Sequence, residues 1–569
     1  MNQSSMLASR SEVAGERAVV TGGHPAEAAA GIAMIQAGGN AIDALVAAAF
    51  TGFVVEPAQC GVGGYGHLAL FSARDNAFVA IDHYVRAPQA ARPDMFPIDP
   101  AKPMKYYGFP HTLGMRAEQG CLAPAVPGAV AGLCAAHAMF GRLKLAQVLE
   151  PAIAAAEAGV PVTWQMQLTI AERFAAIAAM PRLADWLLRD GAPPKVPGQL
   201  GGGDRLDCTA LAATLRRIAA EGPRGFYEGP VARAIAATCA EGGGILSEAD
   251  LAAYRPRILR EVPGAYRGLS YVTGYDQVAN EALNILAAFD LASMGRDSLA
   301  FRHLVAEALA CGFIDSMTHY GDPDFEQAPV EGLASALFGA ARAAGLSLDR
   351  ALPRPVQPAD PWPYDAAAPR PDRIATQPGA AGLAGTSQMA AADAEGNMAA
   401  LITSLTSGFG SLVLVPGTGV LLNNAMQNFD PRPGTMNCIR PGKMPIFAAP
   451  ALVAAQDDGA CFAGCGSGGY RITSGVLHAF LHTQEFGLGP QAAIDAPRVH
   501  CQGQQTFVDA RIPEAVHEGL AALGHEVVAQ TESPGLNAFG RVNAITRDRS
   551  QGVLRGGSGP AWASAAAAL

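Results

Sequence analysis

Eight prolines lie between Pro353 and Pro378. A run so interrupted holds neither a helix nor a central strand, because each proline removes a backbone donor and fixes its own φ. Behind it comes Gly385-Thr386-Ser387-Gln388, followed by Met389-Ala390-Ala391-Ala392-Asp393-Ala394-Glu395-Gly396-Asn397. The pattern reads as a strand, a Glu-Gly-Asn turn and a second strand from Met398 to Leu405. The chain is thus divided into residues 1–385, ending in a Pro-rich linker over 351–385, and residues 386–569. Thr386 at the head of a strand is an ordinary β-former. If the Gly385–Thr386 bond is cut, however, Thr386 gains a free α-amine beside its hydroxyl. One residue then supplies both nucleophile and general base.

The chain has 569 residues, 50% of them hydrophobic and 16% charged, with 65 glycines. Length alone suggests three or four domains, and the composition allows a large core. A net charge of −10, a pI near 5.7 and no Lys/Arg run argue against nucleic acid or an anionic membrane as partner. Met1 to Ser5 shows no basic segment leading into an apolar one, so no signal peptide is read. The apolar stretch Ala41 to Val55, bounded by Asp43 and Glu56, is too short to cross a bilayer and reads as a buried helix. Ten cysteines without a framework pattern are expected to be reduced. Cys461-x-x-x-Cys465 has no second Cys/His pair at a spacing suited to zinc. The expectation is a cytoplasmic protein with no metal and no cofactor.

Along the chain, a short strand at Ala18–Val20 precedes two helices separated by Gly38-Gly39-Asn40. Gly61-Val62-Gly63-Gly64-Tyr65-Gly66 matches G-x-G-x-x-G, with Asp82 where a ribose-binding acid would stand. A dinucleotide site needs a helix to open at those glycines. Here residues 67–71 and 78–82 read as two strands around Arg74-Asp75-Asn76, which disfavours a nucleotide-dependent oxidoreductase. Residues 128–264 read as mostly helical, 266–273 as one strand, and 281–293 and 299–319 as helices. After Thr386, three or four strands and helices near 473–483 and 513–523 are expected, with a frayed Ala-rich tail over 561–569.

Six further stretches carry a resemblance: Gly38-Gly39-Asn40-Ala41-Ile42-Asp43-Ala44, Val126-Pro127-Gly128-Ala129-Val130-Ala131-Gly132, Gly321-Asp322-Pro323-Asp324-Phe325, Gly419-Val420-Leu421-Leu422-Asn423-Asn424, Gly466-Ser467-Gly468-Gly469-Tyr470-Arg471-Ile472 and Ala496-Pro497-Arg498-Val499-His500. In their order and spacing they resemble the gamma-glutamyltranspeptidase family of N-terminal-nucleophile hydrolases. The resemblance implies an α+β fold, a four-layer αββα sandwich built from both halves of one self-cleaving precursor. The two pieces would form a heterodimer, and two heterodimers could associate further. It implies Thr386 as nucleophile, Ser404 in place of a threonine whose hydroxyl bonds the nucleophile, and Gly468 and Gly469 as donors to the oxyanion. Glycine suits that last role because no Cβ keeps the substrate away.

The substrate pocket departs from the family pattern. Where relatives hold a glutamate carboxylate with an arginine, the segment Asp82-His83-Tyr84-Val85-Arg86-Ala87-Pro88 places Tyr84, with Arg86 two residues on. The family's serine pair falls on Ile446-Phe447 or Phe447-Ala448, and its Asn, Gln and Asp ligands to the α-amine fall on Thr406, Ala425 and Asn428. A buried ammonium needs paired acceptors, so an amino-acid head group is not expected to bind. The pocket residues are taken as Arg86, Tyr84, Thr406 and Asn428, with His83, Asn424 and Tyr470 nearby. Arg86 either forks onto a carboxylate or forms a surface ion pair. The resemblance points to a threonine amidohydrolase acting on a small carboxylate-bearing amide such as oxamate. Cephalosporin-type acylases, γ-glutamyl hydrolases or transferases, and an inactive binding homologue are the alternatives.

Overall fold

The computed structural model describes residues 9–102, 104, 109–198, 201–260, 263–274, 276–366, 385–446, 449–533, 538–548, 551–560 and 562–569. Two seven-stranded sheets organise them, every neighbouring pair antiparallel. The strands of these two sheets and of one short hairpin, numbered in chain order, are β1 (Val13–Gly15), β2 (Ala18–Gly22), β3 (Tyr65–Ser72), β4 (Ala77–His83), β5 (Arg257–Leu259), β6 (Gly264–Tyr266), β7 (Leu269–Val272), β8 (Gly385–Asp393), β9 (Met398–Thr406), β10 (Leu414–Val415), β11 (Val420–Leu421), β12 (Leu452–Gln456), β13 (Gly459–Ser467), β14 (Arg541–Asp548), β15 (Val553–Ser558) and β16 (Ala565–Ala568). One sheet runs β16-β2-β8-β9-β3-β4-β5 and the other β1-β15-β14-β13-β12-β7-β6; β10 and β11 form a separate hairpin. Each sheet therefore combines strands from before and after Thr386.

The first sheet is buried on both faces, and side-chain alternation along β8 shows how. Met389 and Ala391 pack with the helices α1 (Pro25–Gln36) and α2 (Ala41–Val55), whereas Ala390 and Ala392 face the second sheet. The same alternation puts Ala399 and Leu401 of β9 on the helix side and Ala400 and Ile402 between the sheets. Helices α3 (Arg471–Gln484) and α4 (Pro490–Asp495) lie against β13, β14 and β15 of the second sheet. Among the described residues no helix is long and apolar enough to cross a membrane.

The turn between β8 and β9 also starts α2. Asp393 Oδ1 accepts from the backbone N–H of Glu395 (3.0 Å) and Asn397 (3.1 Å), while its Oδ2 accepts from Ala41 N–H (2.9 Å) and Asn397 Nδ2 (2.9 Å). Asn40 and Asp43 complete a capping box on the same helix. Removing the carboxylate strands the buried Ala41 N–H and breaks three partly buried bonds to the turn. Asp393→Ala, made in a Thr386→Ala background to keep one chain, is expected to cost about 2–4 kcal/mol. Urea unfolding measures it, and an unchanged midpoint would refute this account of the turn.

Several sequence expectations are corrected. The Ala-rich tail is not frayed: β16 pairs with β2, and Leu569 exchanges backbone bonds with Ala18. Small side chains leave the backbone free to pair at the sheet edge. Residues 264–273 form a hairpin, not one strand, because Arg267 (φ 52°) and Gly268 (φ 78°) make a left-handed two-residue turn. The helix expected over 281–293 is two, Gln277–Leu286 and Leu291–Met294, since Asp290 caps the second. Strands after Thr386 outnumber the three or four expected, because several are only two to five residues long. The helix at Leu299–His319 has the bounds read from sequence.

Candidate active site

Thr386 sits at an irregularity in the ladder: Gly385 is opposite Thr406, but Thr386 is opposite Ser404. One residue too many on β9 bends the strand there, as bulges do beside functional groups. Thr406 carries the strain at φ 80°, unusual for a β-branched residue. The bulge brings three groups onto one hydroxyl. Ser404 Oγ donates to the Gly385 carbonyl (2.6 Å), accepts from Thr406 N–H (2.8 Å) and lies 3.1 Å from Thr386 Oγ. Ser404 has one proton. With that proton on the Gly385 carbonyl, the Thr386 hydroxyl is the donor to Ser404.

Gly468 (φ 131°) and Gly469 (φ 62°) connect β13 to α3 in conformations suited to glycine. They lie at the Thr386 end of the stacked sheets: Ser467, just before them, pairs with Arg541, and Arg541 Nη2 reaches Gln59 Oε1 (3.4 Å), which accepts from Thr386 N–H (3.2 Å). Sequence reading missed Gln59 and Arg541. Gln59 follows a helix end and Arg541 opens a distant strand, so no local pattern connects either to Thr386.

Tyr84, Thr406 and Asn428 come together around a fourth residue, Tyr65, which the sequence reading did not count among the pocket residues. Tyr65 Oη and Thr406 Oγ1 are 2.7 Å apart, and Asn428 Nδ2 donates to Tyr84 Oη (2.8 Å) and Tyr65 Oη (3.4 Å). The two rings meet edge to face at 4.6 Å. Burial pushes the Tyr65 hydroxyl up despite those bonds, so it stays neutral. Asn428 Oδ1 is buried with no hydrogen-bond partner. Ile446 adjoins this group, its N–H donating to Asn437, whose amide donates to the Asn428 carbonyl. Phe447 and Ala448 lie outside the described residues. Ala425 opens the turn that carries Asn428.

Arg86 is not brought into the cluster. Its guanidinium donates to Asp82 (3.4 Å) and the Val85 carbonyl (3.3 Å), and its backbone bridges Val126. Burial alone would push the Asp82 carboxyl up, but His67, Arg86 and the Tyr84 N–H hold it below the usual range. His83 points elsewhere, 3.1 Å from the Ile81 carbonyl, and burial pushes it down to about 4. Asn424 is engaged by Glu118 and Ser407, and Tyr470 reaches Met317.

The G-x-G-x-x-G glycines lead directly into β3, and no helix opens there. A Cβ at Gly63 would collide with the Leu421 carbonyl and one at Gly64 with that of Ser404, so these glycines permit close backbone approach. One cluster of metal-ligating types occurs among the described residues: His303, Glu307 and His525. Arg354 donates to both Glu307 and His525, and His303 bonds His525 Nε2 (2.7 Å) and the Ser347 carbonyl (2.8 Å). A guanidinium already stands where a cation would, so the cluster acts as a clasp on the Pro-rich segment.

A sequence profile of the family described as gamma-glutamyltranspeptidase matches residues 28–569. The acylase ACY 1 proenzyme of Pseudomonas sp. (strain SE83) is 35% identical over 538 residues, covering 92% of this chain and 90% of that protein. The glutathione hydrolase proenzyme of Bacillus subtilis (strain 168) is 29% identical over 551 residues, covering 95% and 90%. Among solved structures, the cephalosporin acylase from Bacillus halodurans superposes with a TM-score of 0.84 at 29% identity, covering 100% of this chain and 99% of that one.

Proposed function

Because the chain belongs to the gamma-glutamyltranspeptidase family, we propose that it is a proenzyme that cuts itself before Thr386 and then uses Thr386 to cleave amides. It is a hydrolase or acyltransferase acting on amide bonds. The observation that carries the proposal is the placement of Ser404 Oγ between the Thr386 hydroxyl and the Gly385 carbonyl. In maturation, Thr386 Oγ adds to the Gly385 carbonyl carbon, while Ser404 polarises the carbonyl oxygen. The C–N bond breaks, the nitrogen takes a proton and becomes the Thr386 α-amine, and water hydrolyses the resulting ester. In turnover the amine takes the hydroxyl proton, Thr386 attacks the substrate carbonyl, the amine product leaves protonated, and water releases the acid. Gly468 and Gly469 are the proposed oxyanion donors. The assembly is proposed as a four-layer sandwich of the N-terminal-nucleophile type, its two pieces held as a heterodimer.

For substrate we propose a small carboxylate-bearing acyl amide without an α-amine, of which oxamate is the shortest case and a glutaryl amide a longer one. Tyr84, Thr406 and Asn428 present hydroxyl and amide dipoles, and the nearby Asp82 carboxylate is engaged by Arg86. Nothing in that set pays for stripping water from an ammonium. The buried Asn428 Oδ1 is left to accept the substrate amide N–H. A γ-glutamyl substrate is the second reading, favoured by the glutathione hydrolase relatives and by the same free acceptor.

Glutaryl p-nitroanilide and γ-glutamyl p-nitroanilide differ only by the α-ammonium. The glutaryl compound is expected to have the higher kcat/KM, by about tenfold or more, since tenfold is 1.4 kcal/mol and an unpaired buried charge costs more. A preference for the γ-glutamyl compound would select the second reading.

A further inference from the structure

The turn that ends α2 delivers two side chains to two successive residues of β8. Gln59 Oε1 accepts from Thr386 N–H, and Glu56 Oε2 accepts from Ser387 Oγ at 2.5 Å. The turn is itself fixed. Gln59 N–H and Cys60 N–H donate to the Glu56 carbonyl (2.8 and 3.1 Å), and Leu405 N–H of β9 donates to the Gln59 carbonyl (3.1 Å). By the alternation along β8, Ser387 faces the helices while the Thr386 hydroxyl faces the other way.

Glu56 does not stand alone. Glu27 of α1, fully buried, lies beside it and accepts from Gly23 N–H (2.7 Å). Burial first, and then the charge of Glu56, push the Glu27 carboxyl well above the usual range. Glu27 is thus the member of the pair held neutral, while Glu56 accepts from the Ser387 hydroxyl. A Cβ at Gly23 would collide with the Glu56 carboxylate and the Ser387 hydroxyl, so the close contact requires glycine there.

The other titratable or charged groups facing Glu56 are His24 at the start of α1, Cys60 on the turn and Arg541 of β14. Burial pushes His24 down and Cys60 well up, so both are uncharged near neutral pH. The Arg541 guanidinium stacks on Trp562 at 4.1 Å. A carboxylate thus bonds the residue next to Thr386, and a guanidinium bonds the Gln59 oxygen that accepts from the Thr386 N–H.

We propose that Glu56 is a positioning residue for the amine base of the mature enzyme: it anchors Ser387 and, from one residue away, sets the pH at which the Thr386 amine gives up its proton. A neighbouring negative charge favours the ammonium form, so removing it makes the free amine available at lower pH. Glu27, held neutral, has no charge to act on the amine.

The inference rests on Thr386 being a processed nucleophile, and the wild-type intact mass checks that separately. An uncut wild type removes the reading itself, whereas a cut wild type lets the inference fail alone. The test is the acid limb of the kcat/KM profile, which reports the free enzyme. It uses whichever of the two p-nitroanilides the wild type hydrolyses faster. Glu56→Gln is expected to move the limb down by about 0.5–1 pH unit, while Glu27→Gln and Glu56→Asp, which preserve the charge, leave it in place. If Glu56→Gln fails to mature, maturation of Glu56→Asp with a wild-type limb supports the role of charge. An unmoved limb in an active Glu56→Gln, or Glu56→Asp as defective as Glu56→Gln, overturns the proposal.

Discussion

Thr386→Ala is expected to purify as one chain of 58.5 kDa, while the wild type separates into fragments of 385 and 184 residues, about 40 and 19 kDa. The effect is all-or-none because no other group replaces the hydroxyl. Gly385 and Thr386 are both buried on a sheet whose pairing continues from both sides. A hydroxyl held 3.1 Å from Ser404, on the residue next to the carbonyl that it is proposed to attack, has little orientation left to lose. Cleavage need not unfold the protein, since each sheet contains strands of both fragments. Intact mass spectrometry with N-terminal sequencing of the smaller piece decides the matter. A wild type that stays uncut would leave the inactive binding homologue as the better reading.

Ser404→Ala is expected to slow self-cleavage by about 10²–10³-fold, the usual loss when one pre-aimed donor to a developing oxyanion is removed. Three contacts disappear together: the bond to the scissile carbonyl, the partner of the Thr386 hydroxyl, and the acceptor for Thr406 N–H. Ser404→Thr keeps the oxygen and its proton, and should mature within several-fold of wild type. The appearance of the smaller fragment over time after synthesis gives both rates. Equal rates for Ala and Thr would show that the hydroxyl only packs between strands.

How far the site could be read from sequence follows from the range of the interactions. Thr386, the hairpin behind it and the helix start at Asn40 are local: turn residues, caps and alternation act within a few positions, so the sequence determined them by itself. Ser404 was indicated by the motif resemblance, and the hairpin pairing then sets it opposite Thr386. The motif resemblance pointed to Tyr84, Thr406 and Asn428 but could say nothing about their mutual bonding.

Tertiary structure alone decided the rest. Tyr65 joins the cluster because β3 pairs with β9, and Gln59 and Glu56 meet Thr386 and Ser387 because α2 ends above β8. Arg86, the one cation expected in the pocket, turns to Asp82 four residues earlier because that buried carboxylate needs it. Even the alanine tail becomes a strand only because β2 offers it an open edge. Apart from the Arg86–Asp82 pair, these contacts join residues hundreds of positions apart, where no spacing rule operates; chain packing supplies the proximity, and burial favours a partner for each polar group.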